Sequence, residues 1–86
     1  MRAYTLRANV NRLNRMGKLA YDIGSRIRAL RVEKGLSLRQ FALMTDLDKS
    51  HLSSIERGRI DLKSSTLDKI LKGLDVSPAE FFSTVK

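Results

Sequence analysis

The chain contains no cysteine and no tryptophan, and only one histidine and one proline among its 86 residues. Without cysteine there is neither a disulfide framework nor a thiolate metal site. His51 alone cannot assemble a zinc centre. No apolar run approaches the roughly 18 residues that a membrane span requires. The first twenty residues also lack the apolar core of a secretory signal, so export is not expected and a cytoplasmic location is. Glycines form no phosphate-cradling loop, no nucleophile stands beside a base, and Glu33 and Glu56 are isolated carboxylates on a cationic chain. An enzyme is therefore not expected, nor is any cofactor or metal. Aromatic residues make up 6% of the chain, too few to stack the splayed bases of single-stranded RNA.

What remains is a small basic domain. Apolar residues at 42% and charged residues at 30% describe a soluble globular chain, not a disordered one. At this length folding buries only about 60–65% of the surface of the unfolded chain, so the core is thin. The formal net charge is +8. Residues 1–20 carry Arg2, Arg7, Arg12, Arg15 and Lys18 and no acid, whereas residues 21–86 carry twelve basic and nine acidic side chains. Such a chain attracts a polyanion, although charge alone also serves solubility.

Residues 1–20 are read as a basic N-terminal extension and residues 21–86 as the folded domain. Within the extension Leu6, Val10, Leu13 and Met16 recur at roughly helical spacing, while Asn9, Asn11, Asn14 and Gly17 oppose a helix. A helix and a short extended arm both remain open, as do a phosphate-touching arm, a self-association tail and a merely solvated tail. From Asp22 the pattern is clearer. Ile23, Ile27 and Leu30 fall on one helical face, with Asp22 as N-cap and Gly35 as the stop, predicting a first helix over about 22–34. Ser37 with Gln40 forms a capping box for a second helix over 38–45, its buried side given by Phe41, Ala42 and Met44. Asp46 occupies a turn that suits left-handed backbone, and Asp48 caps a third helix over 49–57 with Leu52 and Ile55 inward and Gly58 as its end. Leu67, Ile70, Leu71 and Leu74 mark a fourth helix, with Lys63 and Ser64 competing for its cap. Ser77, Pro78 and Glu80 open a fifth that carries Phe81, Phe82 and Val85.

Two short helices joined by a tight turn have the pattern of a helix-turn-helix. The detail is more specific. Gly35-Leu36-Ser37, Phe41-Ala42, Leu47-Asp48-Lys49-Ser50 and the run Leu52-Ser53-Ser54-Ile55-Glu56-Arg57-Gly58 resemble the Cro/repressor (Xre-type) helix-turn-helix family. The stretch Thr66 to Pro78 continues the likeness, which covers residues 22–83. The Leu47–Ser50 turn and the Lys72-Gly73-Leu74-Asp75-Val76 run look most like small restriction–modification controller proteins. The resemblance implies an all-α, five-helix, lambda-repressor-like domain with a central helix-turn-helix and the basic N-terminal extension before it.

It also implies a division of labour. The third helix leaves Lys49, Ser50, His51, Ser53 and Ser54 outside, short or polar side chains that permit close approach to base edges. By similarity Lys49, Ser50 and Ser54 read bases, with His51 beside them as a further reader or a solvated surface residue. Arg39, Ser53, Arg57 and Arg59 are expected at phosphates. The family often places a glutamine at the first position of the second helix; here it is Leu38, which moves that contact to Arg39 or to the backbone. Arg31 and Glu56 match a structural pair that locks the first helix to the third. Arg26, Arg28 and Arg31 stand at i, i+2 and i+5 and share no face, so the first two are read as a solvated side.

The expected partner is double-stranded DNA. One recognition helix covers too few base pairs to define a genomic site, and two-fold pairs place two such helices about 34 Å apart on a near-palindrome. A homodimer is thus expected, with Val76, Phe81, Phe82 and Val85 as its surface. Adjacent phenylalanines point about 100° apart on a helix, so one is expected inside and the other against a partner. The rival reading is an antitoxin-type or protein-bridging module, for which a toxin or RNA polymerase would be the protein partner.

Overall fold

A computed structural model describes residues 2–83, with side chains described from residue 17. Five helices follow in order: α1 (Arg2–Glu33), α2 (Leu38–Thr45), α3 (Lys49–Glu56), α4 (Ser64–Leu74) and α5 (Pro78–Ser83). The described residues contain no strand. No helix among them is long and apolar enough to cross a membrane.

Helix α1 departs from the expected start. It runs unbroken through Asp22, whose carboxylate accepts from Lys18 Nζ at 3.0 Å one turn earlier instead of capping. At about 1.5 Å per residue a helix of 32 residues is about 48 Å long. That length sets the longest dimension of the molecule, 49 Å against 26 and 20 Å across.

Four of the five helices end in the same device. Gly35, Asp46, Gly58 and Asp75 all take left-handed backbone, with φ of 72°, 55°, 69° and 57°. In each case the next amide closes back onto the last turn: Leu36 N to Arg31 O, Leu47 N to Ala42 O, Arg59 N to Ser54 O and Val76 N to Leu71 O, all at 3.0–3.1 Å. These bonds satisfy carbonyls that a helix end leaves unpaired. Aspartate is among the few residues besides glycine that adopt this conformation at modest cost. Helix starts are secured as well. Ser37 and Gln40 exchange the two bonds of a capping box at 3.0 and 2.8 Å, and Ser77 and Glu80 do so at 3.1 and 3.3 Å. Lys63 holds the cap position of α4 without a side-chain bond, leaving Ser64 as the first helical residue.

The core joins Ile23, Ile27 and Leu30 of α1 to Phe41 and Ala42 of α2, Leu52 and Ile55 of α3, Ile70, Leu71 and Leu74 of α4, and Phe81 of α5. Leu62, Leu67 and Val76 pack against its margin. Two expectations are corrected here. Met44 is exposed, and the buried position on that side of α2 belongs to Thr45, whose hydroxyl donates to Phe41 O at 2.7 Å. The reason is the approach of α4: a Cβ at Gly73 would lie 2.9 Å from Thr45 Cγ2, so α4 passes directly over that residue. Phe81, placed with the subunit surface above, lies wholly inside the monomer and is unavailable to a partner.

Candidate nucleic-acid interface

Helix α3 is fixed from behind by packing and by charge. Leu52 and Ile55 sit in the core, and Glu56 is buried beside them. Arg31 Nε and Nη2 donate to the two Glu56 oxygens at 2.7 and 2.9 Å, a bidentate pair whose fork geometry suits a guanidinium and a carboxylate. A third bond from Arg31 Nη1 to Leu36 O, at 2.8 Å, ties the same guanidinium to the α1–α2 turn. The bond to Glu56 holds the Arg31 pKa above its ordinary value, although burial pulls the other way.

Two glycines set how closely α1 crosses the end of α3. A Cβ on Gly24 would collide with Ile55 O and stand 2.7 Å from Glu56 O. A Cβ on Gly58 would lie 2.5 Å from Tyr21 Cα. Neither glycine was singled out from the sequence as a contact. A glycine in the interior of a helix, one position after the buried Ile23, was the available sign for Gly24.

The opposite flank of α3 is open. Ser50, Ser53, Ser54 and Arg57 follow the i, i+3, i+4, i+7 spacing of a single stripe, with Lys49 and His51 at its edges. Lys49, Ser50, His51 and Arg57 are exposed, while Ser53 and Ser54 are half-buried. Helix α3 ends at Glu56, so Arg57 acts as its C-terminal cap and Arg59 follows beyond Gly58. Both arginines are exposed, as is Arg39 on the first turn of α2. Leu38, the first residue of α2, is half-buried and packs against the core.

At the far end of the chain Phe82 is 42% exposed, its ring edge-on to that of Phe81 with centroids 5.2 Å apart. Val76 is half-buried at the core margin. Val85 lies outside the described residues.

A helix locked on one side, sparsely decorated on the other and joined by a left-handed turn to the helix before it defines a helix-turn-helix protein. The Helix-turn-helix family model matches residues 27–81, and the chain belongs to that family. Within it, the chain resembles control proteins as well as other transcriptional regulators, such as PuuR of Escherichia coli (strain K12), 40% identical over 60 residues that span 70% of this chain and 32% of that protein. Control protein C.MunI of Mycoplasma sp is 36% identical over 72 residues, spanning 83% of this chain and 97% of that protein. The crystal structure of the restriction-modification controller protein C.AhdI from Aeromonas hydrophila matches with a TM-score of 0.70 and 35% identity, covering 73% of this chain and 96% of that one. The restriction-modification controller protein C.Esp1396I, solved as a tetramer with its natural 35 base-pair operator, matches with a TM-score of 0.73 and 34% identity, covering 78% of this chain and 88% of that one.

Proposed function

We propose that this protein is a sequence-specific DNA-binding transcriptional regulator, not an enzyme, and that it reads a near-palindromic operator as a homodimer in the bacterial cytoplasm. The observation that carries this reading is the asymmetry of α3. Its inner side is immobilised by Leu52, Ile55 and the Arg31–Glu56 pair, while its outer side offers only small and polar groups. A rigid helix with so little bulk on one flank can enter a major groove about 12 Å wide.

Lys49 donates to guanine O6 or N7, and Ser50 and Ser54 adapt to neighbouring base edges, with His51 beside them. Arg39, Ser53, Arg57 and Arg59 hold phosphates and fix the register. The two amides at the start of α2, of Leu38 and Arg39, supplement them as helix-terminal donors. Phe82 and Val76 form the subunit contact. Similarity to control proteins over most of both chains favours the regulator over the antitoxin-type or bridging module. It also favours a restriction–modification gene pair as the regulated target, with RNA polymerase as the protein the bound dimer recruits or blocks.

The test begins with oligonucleotides selected from a random pool. Lys49→Ala weakens the best selected site by about 1–3 kcal/mol and relaxes preference at one base position. Arg57→Ala weakens all sequences alike and flattens the salt dependence. With roughly eight phosphates held per dimer, log K falls with log salt at a slope near −7. Failure to enrich any sequence, together with a salt slope near zero, refutes the reading.

A further inference from the structure

Beside the C-terminal end of α3 lies an open groove of about 720 Å³ between that end and α1. Tyr21, Ser25, Arg28 and Val32 of α1 line one side, and Arg57 and Arg59 line the other. The fold thus brings Arg28 beside Arg57 and Arg59, which lie far from it in the sequence. Arg28 alone looks like a solvated side chain. Helix α1 reaches it because the bare glycines at 24 and 58 let its backbone rest on the end of α3. Among the described residues, none of the three arginines has an ion-pair partner. Glu56 also borders the groove, but its carboxylate is committed to Arg31. The groove therefore presents three unbalanced positive charges, with Ser25 and Tyr21 also in its lining.

We propose that this groove is a second DNA-backbone seat, in which Arg28, together with Arg57 and Arg59, holds phosphates of the duplex flanking the bases read by α3. The inference rests on the proposed DNA-binding function and extends it to α1, to which no DNA contact has been assigned. Continuity selects the occupant. Arg57 belongs both to the outer stripe of α3 and to the wall of the groove, so a strand held by that stripe runs on into it. Charge agrees, because a polyanion meets three exposed guanidiniums with no competing carboxylate. Length agrees as well: the α1 stripe from Tyr21 to Val32 extends about 16 Å at about 1.5 Å per residue. That is long enough for more than one phosphate of a strand that carries a charge about every 3.4 Å of axis. The apolar face of Val32 leaves a wall against which a sugar ring packs.

The experiment compares full-length wild type with Arg28→Gln, Arg28→Lys, Ser25→Glu and Arg57→Gln on one selected operator, each checked for an unchanged melting temperature by circular dichroism. Each lost phosphate contact removes about 0.9 from the salt slope, so Arg28→Gln makes it shallower by about 1.8 per dimer. Raising salt from about 50 to about 200 mM then weakens binding about tenfold less than in wild type. Base preference stays unchanged, Arg28→Lys restores most of the slope, and Ser25→Glu weakens binding further by placing an anion among the phosphates. If Arg28→Gln and Ser25→Glu bind with the wild-type slope and affinity while Arg57→Gln does not, the groove is no phosphate seat, although α3 still binds DNA. If, in addition, poly-glutamate binds the DNA-free protein and Arg28→Gln abolishes that binding, the groove serves an acidic peptide and the duplex assignment is wrong. If wild type itself binds without salt dependence, the underlying DNA reading fails and takes this one with it.

Discussion

Replacing Gly24 by alanine sets two effects against each other. Alanine is favoured over glycine in a helix interior by about 1 kcal/mol, so propensity alone stabilises α1. The added methyl, however, would meet Ile55 O, Glu56 O at 2.7 Å and Glu56 C at 2.9 Å, all backbone atoms of α3. No side chain can swing aside to relieve the overlap. The helices must separate, and a gap of about 0.5–1 Å already forfeits a quarter to a half of the dispersion energy across the seam. Overpacking of this kind costs about 1–3 kcal/mol, and rigid neighbours place it at the upper end. Against the propensity gain, the net loss is about 2 kcal/mol. In a domain of this size that lowers Tm by about 8–16 °C. Gly17 is the internal control, lying seven residues earlier in the same helix with nothing within 4 Å of its notional Cβ. There only propensity acts, and Gly17→Ala raises Tm by about 4–8 °C. Thermal melts followed by circular dichroism measure both. If the two substitutions shift Tm in the same direction, backbone contact between α1 and α3 does not govern the position of α3. Operator binding by Gly24→Ala, assayed well below its Tm, reports whether the displaced α3 still reads its site.

Three further outcomes are expected. Glu56→Ala strands a buried guanidinium and loses about 3–5 kcal/mol of stability in denaturant titration; a loss under about 1 kcal/mol would mean that Arg31 finds water or another acceptor. Phe82→Asp dissociates the dimer in ultracentrifugation with the helical spectrum intact, whereas Phe81→Asp unfolds the monomer; a dimeric Phe82→Asp would place the subunit contact elsewhere. Ser37→Ala removes one half of the capping box and lowers stability by about 1 kcal/mol, and an unchanged Tm would show that the α1–α2 turn is held by the Arg31 bond to Leu36 O instead.

Local signals were legible residue by residue. The Ser37–Gln40 and Ser77–Glu80 boxes need only residues three apart, and both form. The apolar spacing of Ile23, Ile27 and Leu30 fixes a helical face because that periodicity belongs to the backbone itself. Misreadings arose where a local sign had a remote competitor. Asp22 resembles a cap until Lys18 engages its carboxylate within a longer helix. Met44 and Thr45 straddle the edge of a buried face, and the close pass of α4 at Gly73 selects Thr45. Adjacent phenylalanines must point apart, but only packing makes Phe81 the inner one.

The sequence by itself determined helices α2 to α5, the capping boxes at Ser37 and Ser77 and the sparse outer flank of α3, since these depend on neighbours within a turn or two. Tertiary structure decided which residues meet across the chain: Gly24 with the α3 backbone, Gly73 with Thr45, and Arg28 with Arg57 and Arg59. Such meetings depend on the distance and rotation at which two helices cross. Those are set by the summed packing of many side chains, and no single residue or spacing encodes them.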